Sequence, residues 1–126
     1  MIKGIHHISM RCNDPEEFEK VRDFYLNVLG LTVKREWPGA VMIDTGGDSV
    51  LEINTGGENP RQAGVVRHFA LAVDDVDTLV ERVKAAGYTV TREPTDIALP
   101  SDPPLPARIA FCVGAIGEEI EFFCEK

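Results

Sequence analysis

Cysteine is scarce in this sequence: Cys12, Cys112 and Cys124 are three residues among 126, and no CxxC pair occurs. An odd, widely spaced set argues against a disulfide framework and against a thiolate zinc site. Cys12 and Cys124 fall at apolar-face positions of expected strands and are read as buried free thiols. Long apolar runs are missing too. No stretch nears the roughly 20 residues needed to cross a bilayer, and the most apolar one, 109–123, is broken by Gly114, Gly117 and glutamates. The opening MIKGIHHISM carries no charged leader before an apolar segment, so no signal peptide and a cytoplasmic location are expected. Positive charge is also short. Thirteen Lys and Arg face twenty-one Asp and Glu, for a net charge of -8, and the basic residues are scattered. A nucleic-acid binder draws most of its affinity from neutralising phosphates, so that class is excluded, as is a membrane partner. A small anionic substrate stays open, since one or two local arginines can hold it against the global field.

What the chain does have is a core-forming share of apolar residues, 44%, enough for one ordinary domain. It also contains itself twice. His7-Ile-Ser-Met-Arg-Cys-Asn-Asp14 lines up with His68-Phe-Ala-Leu-Ala-Val-Asp-Asp75. Each has a histidine, an apolar-rich strand pattern and an aspartate, then a helical stretch ending in glycine. Gly30-Leu-Thr-Val-Lys-Arg-Glu36 then matches Gly87-Tyr-Thr-Val-Thr-Arg-Glu93 at five of seven positions. Two such matches in the same order mark an internal repeat.

Each repeat reads as a βαβββ module. In the first, a strand is expected over 5–12, and Asp14 followed by Pro15 is a helix start. Phe18, Val21, Phe24, Tyr25, Val28 and Leu29 have the spacing of one amphipathic helix ended by Gly30. Strands over 31–36, 40–44 and 49–53 follow, divided by Pro38-Gly39 and Gly46-Gly47-Asp48. The second module repeats this with a strand over 66–73, a helix over 76–86 and strands over 88–93, 108–113 and 118–124. The expected organisation is a single domain, 1–126, with module 1 at 1–56, a polar linker at 57–64 and module 2 at 65–126. The segment 98–106 is too proline-rich for a regular element and is expected to be a loop, either a lid or a plain connection.

Strand side chains alternate between faces. His7, Ser9 and Arg11 share one face of the first strand, opposite Ile8, Met10 and Cys12. His68, Ala70 and Ala72 oppose Phe69, Leu71 and Val73. Glu52 opposes Leu51 and Ile53, and Glu121 opposes Ile120 and Phe122. In four strands, one face is apolar and the other carries His7, Glu52, His68 or Glu121, paired off by the repeat. Two imidazoles and two carboxylates suit a borderline divalent ion such as Zn, Ni, Co, Fe or Mn. His6 points with the apolar face and is expected to be partly buried or at the rim.

At these residues the chain resembles the vicinal oxygen chelate superfamily, and within it bacterial glyoxalase I (lactoylglutathione lyase). The likeness runs over essentially the whole sequence: His7, Arg11 and Asp14 in the opening strand, Phe24-Tyr25 to Leu29-Gly30 in the helix, then Glu52, His68 and Glu121. It departs in two places. The asparagine usual four positions past the second ligand is Gly56 here, with Asn54 two past Glu52, and the usual Asp-Pro-Asp-Gly turn is Val113-Gly-Ala-Ile-Gly117. The resemblance implies an α+β fold of two βαβββ modules forming a cupped mixed sheet with helices outside. It implies one divalent metal per site (Ni, Zn, Co or Mn) on His7, Glu52, His68 and Glu121. The implied reaction turns the hemithioacetal of a 2-oxoaldehyde into a 2-hydroxyacyl thioester through an enediolate, with glutathione or another thiol as co-substrate. Glu121, with Glu52 second, would be the proton carrier; Arg11 and Asn54 would bind substrate; a homodimer with shared sites is expected. An acyl-CoA epimerase and a non-catalytic, small-molecule-sequestering protein are the alternatives.

Overall fold

The computed structural model describes residues 1, 4–57, 64 and 66–126. The chain forms two compact units, Met1–Gln62 and Ala63–Lys126. The boundary falls inside the expected 57–64 linker, of which 58–63 lie outside the described residues.

The first unit runs β1 (His7–Arg11), α1 (Pro15–Asp23), a π-helical turn (Phe24–Val28), β2 (Thr32–Trp37), β3 (Ala40–Asp44) and β4 (Val50–Asn54). The second runs β5 (Phe69–Ala72), α2 (Val76–Ala85), β6 (Val90–Leu99), β7 (Leu105–Val113) and β8 (Glu119–Glu125). Their sheets have the same plan. The orders are β1-β4-β3-β2 and β5-β8-β7-β6, with β1/β4 and β5/β8 parallel and the remaining pairs antiparallel. The repeat read from sequence is therefore a repeat of structure.

Both helices start as their sequences require. The Asp14 carboxylate accepts from the Glu17 amide at 2.8 Å, ahead of Pro15. Asp75 accepts from the Thr78 amide at 3.0 Å and from its hydroxyl at 2.6 Å. Each cap satisfies N–H groups that the first helical turn leaves without partners. The motif glycines end them: Gly30 and Gly87 stand at φ 77° and 85°, in the left-handed region where a side chain is strained.

The first helix departs from the single helix expected. After Asp23 it loosens into the five-residue π turn, where Phe24 and Tyr25, both fully buried, meet edge to face at 5.0 Å. Consecutive residues of an α-helix lie about 100° apart, so two large rings side by side do not fit one narrow stripe. The wider turn turns both inward.

The motif glutamates tie helix to sheet. Arg22 on α1 pairs with Glu36 of β2 at 2.6 Å, and Lys84 on α2 with Glu93 of β6 at 2.9 Å. Under α1, which packs on β4, lie Val21, Val41, Ile43, Leu51 and Ile53, all at most 1% exposed. Under α2 lie Val76, Val80, Val83, Ala110, Cys112, Ile120 and Phe122.

Three expectations need correcting. The 98–106 segment is no free loop: Ala98 pairs with Pro106 and Leu99 with Leu105, so β6 and β7 form one long hairpin with only 100–104 at its tip. The prolines fit because Pro100, Pro103 and Pro104 fall in the tip, where no ladder N–H is needed, and Pro106 stands at the second residue of β7. Cys124 is half-exposed, whereas Cys12 and Cys112 are buried. His6 is exposed, because β1 begins one residue after it and strand alternation does not reach it. Among the described residues, no helix is long and apolar enough to cross a membrane.

Candidate metal centre

The register puts each unit's chemistry in one row. Ser9 lies beside Glu52 across the β1/β4 ladder, and Ala70 lies beside Glu121 across β5/β8. These are the same positions of the repeat. His7 stands two residues before Ser9 and shares its face; His68 stands two before Ala70, at the entry to β5.

In the second unit, His68 Nε2 is 3.2 Å from Glu121 Oε2. Two donors bound to one ion at about 2.1 Å lie roughly 3.0–3.4 Å apart in octahedral or tetrahedral geometry. The pair thus has the spacing of neighbouring ligands. The Phe111 ring stands edge to face with the imidazole, centroids 5.2 Å apart, and fixes its plane. Glu121 is only 9% exposed, the one buried charged residue among those described. Beyond it on β5 and β8 opens a hollow of about 740 Å³ lined by Ala70, Ala72, Val73 and Phe123, with Asp74 and Glu125 at its edge.

In the first unit, Glu52 is held from one side. Asn54 Nδ2 donates to its Oε1 at 2.8 Å, and Ser9 Oγ donates to the same atom at 3.2 Å. Oε2 takes no hydrogen bond among the described residues and is left for a ligand. The Asn54 amide, against the opposing effect of burial, holds the Glu52 carboxyl below its usual range; Ser9, the His7 ring and the Arg11 charge add to this. His7 Nδ1 lies 3.0 Å from His6 Nδ1, so one ring nitrogen of His7 is engaged and its Nε2 faces away. Arg11 ends β1 exposed on the same face as His7.

Each unit accordingly offers one imidazole and one carboxylate; in the first, Glu52 Oε1 and one His7 nitrogen are already engaged, and in the second the two groups meet each other. Among the described residues no group of three or more His, Cys, Asp or Glu is gathered where it could hold a metal ion. The donor set fits a borderline divalent cation, as two half-sets. Sequence reasoning missed the Ser9 bond to Glu52, although the strand pattern had put both on one kind of face. It assigned Asn54 to substrate; in the structure one N–H of its amide is donated to Glu52 Oε1.

A mixed four-stranded sheet with one helix is made twice in this chain, with a histidine and a glutamate on the open face of each copy. The chain belongs to the Glyoxalase/Bleomycin resistance protein/Dioxygenase superfamily, whose family model matches residues 4–99. It is 31% identical over 117 residues to a probable lactoylglutathione lyase of Vibrio cholerae, covering 79% of this chain and 83% of that one. It is 30% identical over 107 residues to the protein YwkD of Bacillus subtilis, covering 76% and 81%. A glyoxalase/bleomycin resistance protein/dioxygenase from Nocardioides has the same fold, with a TM-score of 0.70, 22% identity and coverage of 99% and 85%.

Proposed function

We propose that the protein is a divalent-metal-dependent lyase of the glyoxalase I kind, converting the hemithioacetal of a 2-oxoaldehyde into a 2-hydroxyacyl thioester. His7, Glu52, His68 and Glu121 would together ligate one ion of Ni, Zn, Co or Mn. The observation that carries this is the repeated His–Glu pair, with His68 Nε2 and Glu121 Oε2 3.2 Å apart. The likeness to the probable lactoylglutathione lyase supports the same chemistry. The homodimer and the cytoplasmic location belong to this proposal.

When bound, the metal supplies Lewis acidity to two neighbouring substrate oxygens. The remaining work falls to the chain. Glu52, tied through Oε1 to Asn54 and Ser9, keeps a fixed orientation and acts as a plain ligand. Glu121 has His68 as its only polar partner among the described residues, so its carboxylate is the one free to swing and carry a proton between adjacent carbons. The hollow beside it, walled in part by Ala70, Ala72, Val73 and Phe123, receives the aldehyde's side chain. Arg11 reaches from the end of β1 toward the thiol portion.

Methylglyoxal with glutathione, followed at the thioester absorbance with Ni, Co, Mn or Zn supplied, tests the reading. Metal-dependent turnover is expected, with Glu121→Gln lowering kcat by roughly 10²–10⁴. The open hollow favours a second reading, a sequestering protein, and tight metal binding without turnover would move the assignment there. Deuterium wash-in on an acyl-CoA would reassign it to epimerisation.

A further inference from the structure

The repeated segment Gly30 to Glu36, matched by Gly87 to Glu93, keeps glycine, threonine, valine, arginine and glutamate in both copies. The fold accounts for two of these directly. The glycines end the helices in the left-handed region, and the glutamates turn to the helix side, where Arg22 and Lys84 clasp them. The arginines have no such employment. Among the described residues, no side-chain hydrogen bond or ion pair engages Arg35 or Arg92, and both are exposed.

Their place in the sheet is the same in both units. Arg35 pairs with Met42, which pairs with Glu52, which pairs with Ser9. Arg92 pairs with Phe111, which pairs with Glu121, which pairs with Ala70. Register partners share a face, and the ring contact between Phe111 and His68 confirms which face it is. Each arginine therefore stands on the open, chemistry-bearing face, two ladder steps from its unit's glutamate, about 10 Å backbone to backbone. A register shift immediately before each arginine, between Val33 and Arg35 and between Val90 and Arg92, aims it there while its neighbour faces the helix.

We propose that Arg35 and Arg92 are anion anchors of the substrate site. Each would grip, through its planar fork, a carboxylate carried on the substrate about 10 Å from the metal-binding carboxylate of its own unit. The substrate class is then a molecule with a carboxylate-bearing tail. On a chain of net charge -8, an anionic tail needs such local cations to bind at all. The proposal uses the metal-centre reading only to say which end of the substrate lies at Glu52 and Glu121.

The test is calorimetric binding of S-methylglutathione, which carries two carboxylates and cannot form a hemithioacetal, to zinc-loaded protein, with its diethyl ester in parallel. R35Q and R92Q should each weaken the diacid by roughly tenfold, as expected for losing one charge-assisted contact, with R35K and R92K in between. The ester should bind weakly and alike to all variants. Arg82→Gln, which removes the same charge from an exposed position on α2, should change nothing. Diacid affinity unaltered in R35Q and R92Q, or lowered equally by Arg82→Gln, would overturn the proposal, as would no binding to the wild type. Arginine-dependent binding without turnover would leave the anchors standing and remove the lyase reading; turnover indifferent to both arginines would do the reverse.

Discussion

Replacing Asn54 by alanine removes the shorter of the two hydrogen bonds on Glu52, 2.8 Å against 3.2 Å from Ser9. A hydrogen bond to a charged group contributes about 1.5–3 kcal/mol when shielded. Glu52 is half-buried and solvent reaches it, so screening reduces the figure to roughly 1.4 kcal/mol. That amount separates a carboxylate already oriented for a ligand from one that must be ordered on binding, and it corresponds to about tenfold in affinity. Supports of metal ligands commonly contribute on this scale. Asn54→Ala should therefore weaken zinc or cobalt binding about tenfold by competitive chelator titration, and Ser9→Ala by less. The double variant should lose less than the sum, because both donors serve one oxygen. Metal affinity unchanged in Asn54→Ala, with the fold intact by circular dichroism, would refute the view that this amide prepares Glu52 as a ligand.

Two more outcomes follow from the second unit. Burial, with Glu118 nearby, pushes the Cys112 thiol up to about 12 from an ordinary value of 9.0. The folded state then holds this proton more tightly than the unfolded one. Its stabilising effect is whole below about pH 9 and is lost as pH rises toward 12. Between about pH 8 and pH 10.5 the wild type should lose on the order of 2 kcal/mol more in urea unfolding than Cys112→Ala does; parallel curves would dismiss the idea. Arg108 bonds Asp77 of α2 twice, at 2.6 and 2.8 Å, and Asp96 of β6 at 3.1 Å, while Lys126 reaches the same Asp96 at 2.7 Å. Arg108→Met should lower the unfolding temperature at low salt, and the difference should shrink in high salt; a salt-independent loss would mean packing, not charge.

How much of this was legible beforehand depends on how local the governing physics is. Asp14-Pro15 and Asp75 announce helix starts because a cap acts on its own next three residues. The placement of Leu51, Glu52 and Ile53 on alternate faces follows from strand geometry alone. The π turn at Phe24 and Tyr25 was not legible, because it answers to what the sheet beneath has room for. The paired ends of β6 and β7 were hidden by prolines that look forbidding until Pro100, Pro103 and Pro104 are seen to fall in the tip, outside the ladder. His6 was misplaced by carrying alternation one residue beyond the strand that enforces it. The Ser9 bond needed the parallel register of β1 on β4, which no pattern within either segment specifies.

The same register shows what duplication retained and what it let change. Three rows correspond: Ser9 with Ala70 beside the glutamates, Arg11 with Ala72, and Asn54 with Phe123. The histidines, the glutamates and the flanking arginines are common to both units. In these three rows the polar residue belongs to the unit of Glu52, and its counterpart in the unit of Glu121 is hydrocarbon. A chelate needs only the shared donors and would be served by two identical halves. A proton carrier needs inequality, since two equally held carboxylates would compete for the same proton and neither would be free to move. The divergence supplies that inequality with two substitutions, Ser9 and Asn54 tying Glu52 through Oε1 where Ala70 and Phe123 set methyl and phenyl groups beside Glu121. Restoring symmetry is therefore the sharpest chemical probe of the pair: Phe123→Asn with Ala70→Ser would give Glu121 the partners Glu52 has, and on this reasoning should hold the metal as well while slowing the proton step.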